Sequence, residues 1–107
     1  MANNLPDRDK LLQKAEKSVS QLDANSLKNQ ELHKRLAKIS TDAQARSDAL
    51  KLSGYDHWHA LARNAARLED TLKKYKDGKY KPKPGNKLYS EIGDFKTAVE
   101  DAVRAPE

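Results

Sequence analysis

Cysteine is absent from this 107-residue chain. That excludes a disulfide framework, a thiolate zinc site and a cysteine nucleophile. Glycine is scarce, with four in all, too few for a glycine-rich phosphate loop, and neither G-x-S-x-G nor H-E-x-x-H occurs. No run approaches the ~18 consecutive apolar residues of a membrane span. The N-terminus, Met1-Ala2-Asn3-Asn4-Leu5-Pro6-Asp7, lacks the basic-then-apolar order of a signal peptide. A soluble, cytoplasmic protein without membrane contact is therefore expected. β-Branched residues are few and none alternate over five or more positions, so no strand is expected. The acids are scattered along polar faces, with no pair set in apolar surroundings that would shift a pKa for acid–base work. The expectation is a protein that is not an enzyme and carries no cofactor and no metal.

What the chain does have is charge, 35% of residues, and a 3–4 periodicity of its apolar positions. The clearest stripe is Trp58, Leu61, Ala65, Leu68, Leu72 and Tyr75, with steps of 3, 4, 3, 4 and 3. It predicts a helix over about 56–76, capped by the Asp56 carboxylate and ended at Gly78. Trp58 heads this stripe and is expected in the core. Leu11, Leu12, Ala15, Val19 and Leu22 predict a first helix over about 7–22. Leu32, Leu36 and Ile39 predict a second over about 27–39. Thr41 with Gln44 fits a capping box and predicts a separate short helix over about 42–52, closed by Ser53-Gly54. Leu88, Ile92, Phe95, Val99 and Ala102 predict a last helix over about 90–104, in which Gly93 costs ~1 kcal/mol against alanine. The fold class is all-α: one small domain over residues 1–107, a bundle of four to five helices around one long central helix. With 36% apolar residues the core is thin and the stability only ~5–10 kcal/mol, which leaves room for a homodimer.

The net charge of +5 is unevenly spread. Between residues 73 and 87 there are seven lysines (Lys73, Lys74, Lys76, Lys79, Lys81, Lys83 and Lys87) against one acid, Asp77, a local excess of +6. The final segment from Glu91 is acidic, with a balance of −3. Pro82, Pro84 and Gly85 bar a helix over 79–86 and favour an extended strap. Tyr75 and Tyr80 interleave the lysines. Lysines neutralise phosphates and tyrosine rings stack on unpaired bases. The binding candidates are therefore those seven lysines, Tyr80, and the polar-face arginines Arg63 and Arg67. Their expected partner is a nucleic acid, DNA or RNA. The alternative is a protein–protein interaction module whose basic strap docks an acidic or nucleic-acid-binding protein, for example a phage- or plasmid-borne inhibitor of a host defence complex. His57 and His59 flank Trp58, but two residues apart on a helix turns their rings roughly 200° from each other, which is no metal pair.

The predicted short helix, Ser53-Gly54-Tyr55 and the long helix also outline a helix-turn-helix. His59, Arg63, Asn64 and Arg67 would then be the side chains presented to base edges. Leu50 stands where that motif wants a small residue. Gln44-Ala45, Gly54-Tyr55, Trp58 and Leu61 resemble the Q-A-x(8)-G-[FY]-x-x-W-x-x-L signature in the N-terminal segment of glyoxalase-related bacterial proteins. The likeness spans residues 44–61 and implies a short helix, a glycine turn and a tryptophan-headed helix. It implies no glyoxalase chemistry, because neither that metal-binding set nor a βαβββ pattern is present.

Overall fold

In the computed structural model, residues 7–22, 29–50, 56–76 and 87–105 are described, with Tyr75, Lys76 and Lys87 described by their backbone alone. They form four helices and, among the described residues, no strand: α1 Arg8–Ser20, α2 Gln30–Leu50, α3 His57–Lys76 and α4 Lys87–Arg104. The all-α expectation stands. The predicted strap over 79–86 lies outside the described residues.

Each start has a local cause. Asp7 caps α1, its carboxylate accepting from the N–H groups of Asp9 at 2.8 Å and Lys10 at 3.2 Å. The Asn29 side chain accepts from Leu32 N–H at 3.0 Å at the head of α2. Asp56 does the same for His59 N–H at 2.8 Å at the head of α3.

The predicted break between a second and a third helix does not exist: 30–50 is one helix of 21 residues. Thr41 does not cap. Its hydroxyl donates back to the Ala37 carbonyl at 3.1 Å, as threonines inside helices do. The Gln44 side chain donates to the Asp48 carboxylate at 2.9 Å. A Lys38–Asp42 ion pair of 3.2 Å straddles the supposed junction. The apolar phase also runs through it, since Leu32, Leu36, Ile39 and Ala43 are all buried at steps of 4, 3 and 4.

The helices alternate in direction around a shared core. Ser40 donates to the Ala62 carbonyl at 2.9 Å and Ser47 to the Asp56 carboxylate at 2.8 Å. As α2 runs forward α3 therefore runs back, and the two lie side by side. Arg35 bonds Gln21 at 2.5 Å, tying the end of α1 to the first half of α2. The Arg8 guanidinium reaches the carbonyl of Val103 at 3.1 Å and those of Ala102 and Ala105 at 3.5 Å. This places a cation at the negative end of the α4 dipole. The Thr71 hydroxyl donates to the buried Glu91 carboxylate, linking α3 to α4. Leu11, Ala15, Leu32, Leu36, Ile39, Trp58, Leu61, Leu68, Leu72, Leu88 and Phe95 fill the centre.

Candidate nucleic-acid interface

The inner face of α3 is apolar and closed. Trp58, Leu61, Ala65, Leu68 and Leu72 each have 0% exposure, so the predicted stripe is core from Trp58 to Leu72, and the Tyr75 side chain lies outside the described residues. What holds Trp58 was not visible as a pattern. The guanidinium of Arg46, on α2, lies 4.5 Å from the centroid of its ring. Arg46 is itself buried, and a desolvated cation over an indole face is worth on the order of 2 kcal/mol. Burial lowers the Arg46 pKa from its ordinary value, the nearby charge of Arg8 lowers it further, and Asp7 opposes both.

The head of α3 is a dense polar junction. Burial pushes the Asp56 carboxyl up. The His59 N–H, the Ser47 hydroxyl and the Trp58 N–H outweigh it and hold the pKa below its ordinary value. The His57 ring stands tilted against Trp58 at 4.9 Å between centroids. Its pKa is lowered, chiefly by burial and then by Arg8 and Arg46, against the pull of Asp56. Ser47, Arg46 and Arg8 reach this junction from α2 and α1. Sequence spacing carries no sign of them, because the contacts depend on helix register.

The outer face of α3 carries the described part of the basic candidates. Arg63 and Arg67 are exposed, one turn apart, and among the described residues no acid pairs with either. Lys73 and Lys74 are less available. Lys73 pairs with Glu69 at 3.5 Å and Lys74 with Asp70 at 3.3 Å, each acid one turn earlier on the same helix. These surface pairs are worth only ~0.3–0.5 kcal/mol, so an incoming phosphate can compete for the ammonium groups. Lys76 lies in the last turn of α3 and Lys87 in the first residue of α4. Lys79, Tyr80, Lys81 and Lys83 lie outside the described residues.

The outlined helix-turn-helix reader is corrected on two counts. Its first helix is the second half of the continuous α2, and the side-by-side antiparallel packing of α2 and α3 is that of a helical hairpin. A helix-turn-helix instead crosses its two helices at about 90–120°. Two of its four proposed readers are also engaged. The Asn64 amide donates to the Ala60 carbonyl at 2.8 Å, and His59 is half-buried with contacts of its own. Arg63 and Arg67 remain. Arg63 lines an open groove of about 550 Å3 between α2 and α3, together with Thr41, Gln44, Ala45, Asp48 and Ala62.

Of the residues that carry the glyoxalase-related likeness, Gln44 and Ala45 line that groove and Trp58 and Leu61 are core. Gly54 and Tyr55 lie outside the described residues. No cluster of histidine and acidic residues able to hold a metal ion occurs among the described residues. No helix there is long and apolar enough to cross a membrane. Comparison of the chain with protein-family models, with curated proteins and with solved structures yields no match.

Proposed function

We propose that this protein is a non-enzymatic nucleic-acid-binding accessory protein that grips the phosphate backbone. Arg63 and Arg67 on α3 provide one end of the grip and the lysines of residues 73–87 the other. The observation that carries the reading is the pair of exposed arginines that no acid among the described residues engages, on the helix that leads directly into the lysine-rich segment. Guanidinium forks take phosphate oxygens two at a time. Lysines add mobile point charges, and neither group selects bases when held on the backbone.

The test is a fluorescence-anisotropy titration of labelled duplex and single-stranded DNA and RNA with the wild-type chain and with Arg63→Gln/Arg67→Gln. The double variant should weaken binding to all sequences alike and flatten the salt dependence of log K by about 2. Its helix content should be unchanged, since both side chains are exposed. Binding by the double variant equal to wild type would remove α3 from the proposal. Replacing Lys79, Lys81 and Lys83 by glutamine as well should remove most of the slope that remains.

A further inference from the structure

A basic stripe also runs along α1. Lys10, Lys14, Lys17 and Gln21 follow one another at steps of 4, 3 and 4, so they share one side of the helix. The three lysines are exposed, and none joins an ion pair among the described residues. Lysines on the other helices are placed differently. Lys38, Lys73 and Lys74 each meet an acid one turn away on their own helix. Four residues after the α1 lysines stand Lys14, Ser18 and Gln21, and four before them Pro6, Lys10 and Gln13. The helix therefore supplies no counter-charge at that spacing. Its own acids lie elsewhere: Asp9 pairs with Arg8, and Glu16 lines the groove toward α4. The Asp7 carboxylate, three residues before Lys10, is engaged as the cap.

This stripe looks away from Arg63 and Arg67. Gln21 bonds Arg35 of α2, which turns the lysine side of α1 toward α2 and sets a fourth cation beside it. Both α1 and α3 pack against α2 and α4, so α1 and α3 stand at opposite corners of the bundle. Their outer faces are separated by a body only 23 by 20 Å in cross-section.

We propose that the protein bridges two nucleic-acid duplexes, one held by Arg63 and Arg67 and the other by the lysine side of α1. This inference rests on the phosphate-gripping reading and adds a second, opposed site to it. The stripe offers charge alone, with no exposed apolar or aromatic side chain. A protein partner would need an apolar or aromatic anchor at the centre of its contact, and an unpaired base would need a ring to stack on. A duplex backbone needs neither, because its non-specific binding is essentially all electrostatic. One duplex cannot serve both sides, since a persistence length of about 150 base pairs forbids a turn around so small a body.

The test mixes short donor-labelled and acceptor-labelled duplexes of unrelated sequence and reads energy transfer as the chain is added. Transfer should rise while duplex is in excess and fall again once the chain is in large excess. Lys10→Gln/Lys14→Gln/Lys17→Gln should keep its helix content, because glutamine is nearly as good a helix former as lysine. It should still bind one duplex but show only the transfer of free duplexes. Arg63→Gln/Arg67→Gln should lose the transfer from the other side. Anisotropy of a single labelled duplex, read in parallel, separates the two claims. No binding by the wild-type chain would take down the phosphate reading and this inference together. Binding without transfer would overturn the inference alone and leave the lysine side of α1 to an acidic protein. Transfer that survives in the triple variant would also overturn it. So would a folded triple variant that binds no duplex, since α1 would then belong to a single site.

Discussion

At the residue scale, the junction at the head of α3 sets how the protein meets acid. His57 sits among Arg8, Arg46 and Asp56, and its Nε2 is sealed without a hydrogen-bond partner among the described residues. With its folded pKa below the ordinary 6.5, the neutral ring favours the fold fully above that pH. As pH falls from 6.5 through the folded pKa, the unfolded chain takes up the proton first and stability is lost. Asp56, also depressed, adds a second loss of the same sign below the ordinary carboxylate range. The melting temperature should therefore fall in a first step when pH is lowered from about 7.5 to about 5. His57→Asn should remove most of that step. A melting temperature that is flat across this window, or equally sloped in His57→Asn, would contradict the assignment. Trp58 was legible in the sequence as the head of an apolar stripe. Arg46 was not, because an arginine among polar neighbours gives no sign that helix register will turn it onto an indole face.

At the element scale, the continuity of α2 gives a sharp test. With Thr41 as a cap, Asp42 would be the first residue of a helix, where proline is welcome. Within a continuous α2, proline at 42 removes a backbone hydrogen bond and clashes with the preceding turn, costing ~3 kcal/mol or more. Asp42→Pro should thus lower the urea midpoint severely. A mild effect would restore the broken pair of helices. The spacing predicts a boundary at Thr41 because a threonine three residues before a glutamine fits a capping box locally. The competing signal was the unbroken apolar phase from Leu32 through Ala43. The other helices were legible within a few residues, since Asp56 and Trp58 to Leu72 mark both a cap and a face. α4 starts at Lys87, a few residues before the expected boundary near 90, so Leu88, the first residue of the predicted stripe, lies within the helix.

At the scale of the whole molecule, an all-α ring of antiparallel helices presents two outer surfaces of different character. The surface of α3 is basic, through Arg63 and Arg67 and onward into the lysine-rich segment. The surface of α4 is acidic overall and carries the exposed Tyr89 and Val103. The charge asymmetry was legible in the sequence. Which cations stand free was not, because Lys73 and Lys74 pair with Glu69 and Asp70 only once the helix sets them a turn apart. The central claim is that the basic surface takes phosphates, and its most direct test is the salt dependence of duplex binding by the wild-type chain. If about four cations engage the backbone, log K should fall with log salt at a slope of about −3.6, with similar affinity for unrelated sequences. No binding below ~100 µM near physiological salt, weaker than a basic protein's ordinary non-specific affinity, would contradict it.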